Sequence, residues 1–477
     1  MDDKGPTPEP RTEREPRRLQ DMPREVEAEH SFGVDPDFLH QIVVCLDENR
    51  HEQLGEMLED LHAADLADLI EQLDPEHRER LIQTLVPGFD AEVLSYLDAA
   101  VREEVVELIE PKELAAAVAE LDTDDAVDVI QDLDEEDQKA ILENLPAETR
   151  QLVEEGLTFP EYSAGRLMQR DLVSVPPFWT VGNTLDYLRA AGDDLPEDFY
   201  AIFIVDPLHR PIGAVLLGRV MRQRRPVVLA DLMTEDIHRI PATMDQEEVA
   251  FLFRQYGLVS APVVDASGRL IGVITVDDVV DVIDEEAEED ILKLAGVGET
   301  DLHLSVAQTA WRRVRWLVIT LFNTIIASFV ISHFESTIER VVVLAILMPI
   351  VAAMGGNAGM QVVTVTVRAL ATKDIGPGNV FRVVGKELLI GIINGVVFAA
   401  IMGTIAAVWF GNTQVAAVLA AAMVFNMVWA GLAGTLIPLA LARVGADPAV
   451  AAGPFLTTTT DVLGFFIFLG LATLVLL

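Results

Sequence analysis

Asp461 stands inside an apolar stretch, 450–477, directly after Thr457, Thr458, Thr459 and Thr460. It lies seven residues past Pro454, about 10 Å further along a helix. No Lys or Arg occurs at comparable depth. A carboxylate held at that depth is costly and faces water or an ion. Beside hydroxyls it suits a hard cation, which prefers oxygen ligands. The threonines have two readings. Their hydroxyls bond back to helix carbonyls and serve packing, or they line the path of a hydrated ion.

A second apolar stretch, 341–370, contains Pro349, Gly355, Gly356, Asn357, Gly359 and Gln361. Proline frees a carbonyl and glycines let helices approach. Irregular backbone at membrane depth survives where it is buried in protein or lines a wet path. Small-residue packing accounts for the glycines but not for Asn357 and Gln361. The candidate ion path is therefore Asp461, Asn357, Gly355, Gly356, Gln361, Thr457 and Thr458. No thiolate or imidazole is among them, so nothing there selects a soft metal.

Five stretches are long enough to cross a bilayer, near 314–332, 341–370, 384–410, 415–442 and 450–477. Arg312, Arg313 and Arg315 precede the first. Arg368, Lys373, Arg382 and Lys386 flank the second loop, and Arg443 lies in the fourth. The positive-inside rule puts the N-terminus in the cytosol and the C-terminus outside, in a cell (inner) membrane. Five helices rarely enclose an ion path, so an oligomer is expected.

Charge separates along the chain. Residues 311–477 hold 9 Lys+Arg and 6 Asp+Glu, which leaves 25 basic and 71 acidic residues, net −46, for 1–310. Such a half repels nucleic acid and attracts cations; simple solvation is the competing explanation of its charge. The single cysteine, Cys45, excludes an internal disulfide and a thiolate cluster. No catalytic constellation of His, Ser or Cys stands out, so an enzyme is not expected. Residues 1–35 read as a disordered tail.

Residues 36–160 carry helical periodicity, as in Leu54, Met57, Leu58 and Leu61. They also repeat. Leu61, Asp65, Asp68, Ile70, Leu73 and Asp74 recur as Leu121, Asp125, Asp128, Ile130, Leu133 and Asp134. Stacked helical units of a solenoid-like domain follow. Residues 161–287 hold a second duplication, split near 163–226 and 227–287. Leu167-Met168 matches Leu232-Met233, and Ile204-Val205-Asp206 matches Val263-Val264-Asp265. The first copy has about six extra residues within Gly192–Phe199. The alternation of short apolar runs and helices is α+β. The pattern resembles tandem cystathionine-β-synthase-type (CBS) domains, whose closing helix starts at a T-x-x-D like Thr275-Val276-Asp277-Asp278. In the first copy Leu217-Gly218-Arg219 stands there instead, which weakens a nucleotide site. ATP is the nucleotide such domains suggest. The acidic run Asp284–Asp290 precedes a break at Gly296-Val297-Gly298 and a connecting (plug) helix at Leu302–Trp311, in a segment 288–313 before the membrane domain, 314–477.

The Met354-Gly355-Gly356-Asn357-Ala358-Gly359-x-Gln361 stretch, with Asp461-Val462-x-Gly464, resembles the MgtE family of bacterial Mg²⁺ channels. The domain order agrees over nearly the whole chain. The resemblance implies a multidomain fold: a helical N domain, tandem CBS domains and an all-α membrane domain of five transmembrane helices. It implies a lipid-embedded homodimer with its pore on the second and fifth spans and hydrated Mg²⁺ at Asp461. It further implies cytosolic Mg²⁺ sensing by Glu92, Asp124, Asp128, Asp245, Glu247, Asp278, Asp281, Glu286, Glu289 and Asp290. Gly453 replaces a polar pore residue of the family and Gly257 an acidic sensor. The function so implied is Mg²⁺ uptake by a channel that Mg²⁺ itself shuts. Two alternatives share these residues: a divalent-cation transporter coupled to Na⁺ or H⁺, and a nucleotide-regulated cation transporter.

Overall fold

The computed structural model describes residues 34–297 and 306–477, except 60, 132, 193–194 and 197–198. The expected tail up to residue 33, part of the first-copy insertion and residues 298–305 of the connecting segment lie outside the described residues. The chain divides into two compact units between Leu97 and Asp98.

The first unit contains α1 (Pro36–Asp47), α2 (His51–Leu58), α3 (Ala63–Gln72), α4 (Pro75–Leu85) and α5 (Glu92–Ser95). Ile42, Leu54, Leu69, Ile70, Leu81 and Ile82 are each buried there. The second unit opens with α6 (Ala99–Glu107), α7 (Pro111–Val118), α8 (Thr123–Gln131), α9 (Glu135–Asn144) and α10 (Ala147–Leu157). The sixty-residue repeat is a repeat of caps as well as of apolar faces. Asp74 accepts the amides of Glu76 and His77 at the start of α4, and Asp134 accepts those of Glu136 and Asp137 at the start of α9. Aspartate suits that place because it satisfies otherwise orphaned amides.

The CBS pair follows. One copy has β1 (Ser174–Val175), α11 (Val181–Ala191), β2 (Ala201–Val205), β3 (Pro211–Leu216) and α12 (Leu217–Met221). The other has β4 (Ile240–Pro241), α13 (Gln246–Tyr256), β5 (Ser260–Val264), β6 (Leu270–Thr275) and α14 (Val276–Ala295). Each copy forms a three-stranded sheet with a parallel first pair and an antiparallel hairpin. The opening motif of each copy bonds to the hairpin of the other: Gln169 pairs with Val273, and Thr234 with Ala214. The two closing helices differ for a local reason. Thr275 and Asp278 form a capping box and α14 runs 20 residues, whereas α12 has no side-chain cap and ends after 5.

The membrane half consists of α15 (Val306–Ser332), the short α16 (Glu335–Arg340), α17 (Val343–Ala371), α18 (Val380–Phe410), α19 (Thr413–Arg443) and α20 (Pro448–Leu476). Five of these are long and apolar enough to cross a membrane. Residues 306–311, expected in a separate connecting helix, belong to α15. Arg312, Arg313 and Arg315 do not interrupt it, because arginine is a good helix former and no Gly or Pro intervenes. The core lies between α17, α19 and α20, with Leu347, Val351, Leu419, Met423 and Phe468 buried.

Candidate functional site

In α17 and α20 the polar and apolar faces separate. Leu456 of α20 packs on Gly359 of α17, and Met360 lies beside Gly453. Asn357, Gln361 and Thr457 are exposed on the surface of this single chain. Asp461 is half-buried and takes part in no hydrogen bond or ion pair among the described residues. It stands four residues, one turn, after Thr457.

The threonine hydroxyls resolve their two readings in part. All four donate to carbonyls of their own helix: Thr457 to Gly453 at 3.0 Å, Thr458 to Pro454 at 2.7 Å, and Thr459 and Thr460 to Leu456 at 3.0 Å. Their protons are spent inside the helix. The exposed oxygen of Thr457 keeps lone pairs for a donor such as a cation's water.

The two candidate glycines of α17 face different ways. Gly356 looks onto open space, while Gly355 is buried against the side chain of Asn426 in α19. Asn426 was not singled out by sequence reasoning; a lone Asn among Met and Val in an apolar span is the signal that marks it. Gln361 also lines a cavity of about 280 Å³ with Lys386, Glu387 and Asn394.

The acidic module holds two clusters of carboxylates, both of which include residues of α14. In the first, Asp124 of α8 is 7% exposed, and among the described residues neither of its oxygens has a side-chain hydrogen-bond partner. Burial, then the charges of Asp278, Asp125 and Asp122, push its pKa well above the usual range. Across from it, Asp278 is raised to about 7, first by burial and then by Asp277 and Asp125, against the hydrogen bond from Thr275. Asp281 is raised by burial and by Asp284, Asp277 and Asp128. Asp128 itself accepts from buried Arg102 at 2.9 Å and from Gln131 at 2.9 Å, so its charge is already partly answered.

The second group joins α13 and α14. Asp245 caps α13. Burial, then Glu286 and Asp245, raise Glu247. Burial also raises Glu286, which accepts from Gln246 at 2.9 Å. Asp290 is raised by burial and by Asp447, the cap of α20. Among the described residues no three His, Cys, Asp or Glu side chains are grouped tightly enough to hold a bare metal. These are pairs, which suit an ion that keeps most of its waters. Glu92 opens α5 in the first unit. Gly257 is the C-cap of α13 with φ +61°, a left-handed backbone that favours glycine over an acidic residue.

Two lysines join the module to the membrane helices. Lys293 of α14 bridges Glu289 and, at 3.1 Å, Asp447. Burial opposes its charge, but those two carboxylates outweigh it and hold the pKa above the lysine range. Lys373, in the loop after α17, meets Glu248 of α13 at 3.4 Å and lies 4.7 Å from the Phe251 ring. Leu294, one residue past Lys293, packs with Val363, Ala449 and Ala452, and its carbonyl lies over Gly453. The end of α14 therefore sits eight residues, about 12 Å, from Asp461 along α20. Between the CBS copies, Asp171, Tyr200, Ser260 and Thr275 line a cleft of about 10 Å³, room for one water.

The raised carboxylates carry a pH dependence. The folded pKa of Asp278, about 7, exceeds the unfolded value near 3.9. The stability from its proton is full below pH ~4 and is lost as pH rises through about 7. Protein stripped of divalent ions is expected to melt roughly 3–5 °C higher at pH 6 than at pH 8. Saturating Mg²⁺ should remove the difference by neutralising the ionised pair. Scanning fluorimetry of wild type beside Asp278→Asn checks this. An equal pH slope in both proteins means the effect arises elsewhere.

Five membrane-length helices behind a CBS pair and an acidic helical module define a multi-pass membrane protein with a soluble regulatory half. Comparison with known proteins narrows this class. The family described as divalent cation transporter matches residues 348–471, the MgtE intracellular N domain matches 61–162, and the CBS domain matches 229–285. Magnesium transporter MgtE of Thermus thermophilus is 37% identical over 328 residues, 68% of this chain and 72% of that protein. Magnesium transporter MgtE of Enterococcus faecalis is 33% identical over 322 residues, 68% of this chain and 71% of that protein. A crystal structure of the cytosolic domain of the Mg²⁺ channel MgtE in complex with ATP is 34% identical, with a TM-score of 0.47, and covers 51% of this chain and 99% of that one. The chain belongs to the MgtE family.

Proposed function

We propose that the protein conducts Mg²⁺ across the cell (inner) membrane as a homodimer, and that cytosolic Mg²⁺ shuts it. The observation that carries conduction is Asp461, a half-buried carboxylate in a membrane helix with no partner among the described residues. Asn357, Gln361 and Thr457 lie exposed on α17 and α20. Amides facing lipid are costly, so a second copy across this face, enclosing water between the two, is the favourable arrangement. Mg²⁺ gives up its waters reluctantly, and one carboxylate per copy with amide and hydroxyl oxygens holds it through them.

The orientation has two supports. The basic residues flank the loops assigned to the cytosol. Independently, Lys373 and Asp447, in the α17–α18 and α19–α20 loops, both contact the acidic module. Regulation draws its support from Asp124 and Asp278. Ionised together they repel across a buried contact, and a bridging divalent cation reverses the sign. α14, which carries Asp278, Asp281, Glu286, Glu289 and Asp290, ends against α20.

The test is Mg²⁺ flux in proteoliposomes with internal Mg²⁺ varied. Flux is expected to fall as internal Mg²⁺ rises; no wild-type flux at any concentration overturns the reading. In the same assay Asn357→Leu should lower flux about tenfold and weaken divalent selectivity, because the ion's water shell loses an oxygen partner. Lower detergent stability with unchanged selectivity would mean that Asn357 only packs.

A further inference from the structure

Asn426 lies in α19 where α17, α19 and α20 meet, and it is 2% exposed. Its Nδ2 donates to the Val351 carbonyl of α17 at 2.8 Å. Its Oδ1 is buried with no partner among the described residues. The same amide faces a glycine on each of the other two helices. A Cβ on Gly355 of α17 would come 2.2 Å from Nδ2, and one on Gly464 of α20 would come 3.0 Å from it. Gly355 precedes Asn357 by two residues, and Gly464 follows Asp461 by three.

We propose that Asn426 is a positioning residue, whose amide sets the separation and rotation of α17 and α20 and thereby the spacing between Asn357 and Asp461. This rests on the conduction reading above. Stability alone does not ask for asparagine. Val351 lies inside α17, so its carbonyl already has a helix bond. The orphaned Oδ1 is unfavourable, and an apolar side chain of similar shape would orphan nothing. What the amide supplies is a small, directional spacer. Amide N and O are narrower than methyl groups, and the bond to Val351 fixes how α17 is turned. A hydrated Mg²⁺ has an octahedral shell at 2.0–2.1 Å, tighter than the 2.3–2.6 Å shell of Ca²⁺, so tenths of an ångström between protein oxygens decide which ion fits.

The experiment measures Mg²⁺ and Ca²⁺ flux through the full-length protein in proteoliposomes, together with melting temperature. Asn426→Leu is expected to melt within about 3 °C of wild type, while its Mg²⁺-to-Ca²⁺ flux ratio falls about tenfold through the wider helix spacing. Should that variant fail to fold, a paired set carries the test. Gly355→Ala should cut Mg²⁺ flux at least about tenfold, because its methyl strikes the amide, and adding Asn426→Ala should restore flux to within about threefold of Asn426→Ala alone. A folded Asn426→Leu with an unchanged ratio overturns the proposal, as does a double variant as inactive as Gly355→Ala. Absence of Mg²⁺ flux in wild type overturns the conduction reading itself; normal wild-type flux with unaltered Asn426 variants overturns only the positioning role.

Discussion

Asp461→Ala is expected to abolish Mg²⁺ flux while the protein still inserts and melts no lower than wild type. The carboxylate has no hydrogen bond or ion pair among the described residues, so removing it breaks nothing that holds α20 in place. An unpartnered intramembrane acid is a burden on folding, and its loss relieves that burden. Its value lies with the ion. Across roughly 5 Å at an effective dielectric of 20, one charge on one charge is worth about 3 kcal/mol, about a hundredfold in rate. In the homodimer proposed above, a divalent ion and a carboxylate from each copy would multiply that figure. Asp461→Asn keeps the shape and the acceptor oxygen and removes the charge, so it should be nearly as inactive. Flux assays in proteoliposomes, with circular dichroism and melting as controls, decide the matter. Wild-type flux in Asp461→Ala would remove Asp461 from the ion path.

The second large effect is on regulation. Converting Asp278, Asp281, Glu286, Glu289 and Asp290 to Asn or Gln should leave conduction intact and abolish most of its dependence on internal Mg²⁺. These residues lie along α14, whose far end packs against the start of α20. Two carboxylates about 4 Å apart repel by roughly 4 kcal/mol at an effective dielectric of 20. Under the regulation proposed above, each bridging Mg²⁺ would favour docking by its differential affinity, and several weak sites would add to a steep response. Neutral side chains remove both the site and the repulsion. Flux through wild type should change more than about tenfold between micromolar and ~10 mM Mg²⁺, and through the five-site variant less than about twofold. Proteolysis within 284–302 is the structural readout, and in wild type it should slow as Mg²⁺ rises. Cutting that is the same at every Mg²⁺ concentration, with a five-site variant that still closes, would return the acidity to plain solvation. Lys293 makes a separate contribution here. It already joins Glu289 to Asp447, so part of the docking of α14 on α20 needs no divalent ion.

Sequence alone determined whatever depends on a segment's own relation to water or lipid. Apolar runs longer than a bilayer became α15, α17, α18, α19 and α20. The Thr275–Asp278 signal became a capping box and a 20-residue helix, and its absence at Leu217-Gly218-Arg219 left a 5-residue one. The repeated Asp74 and Asp134 became repeated caps. Asp461 reads in sequence as a candidate for the ion path because a deep carboxylate is costly wherever its helix goes, and the fold leaves it half-buried in α20. Tertiary structure decided which groups share a partner. Asp124 stands out in sequence only through the family resemblance, and it is the fold that buries it opposite Asp278. Asp128, of the same helix face, goes to Arg102 instead. Gly355 reads in sequence both as a small residue that lets helices approach and as a candidate on the ion path, and only the fold shows that the side chain it admits is Asn426. Lys373 reads in sequence only as a basic flank of a loop, and the fold makes it, with Lys293, a contact between module and membrane helices. The reason is common to all of these. Periodicity and caps are set within a few residues, but the partner of a buried polar group depends on the path of the backbone between the two, which no local pattern records.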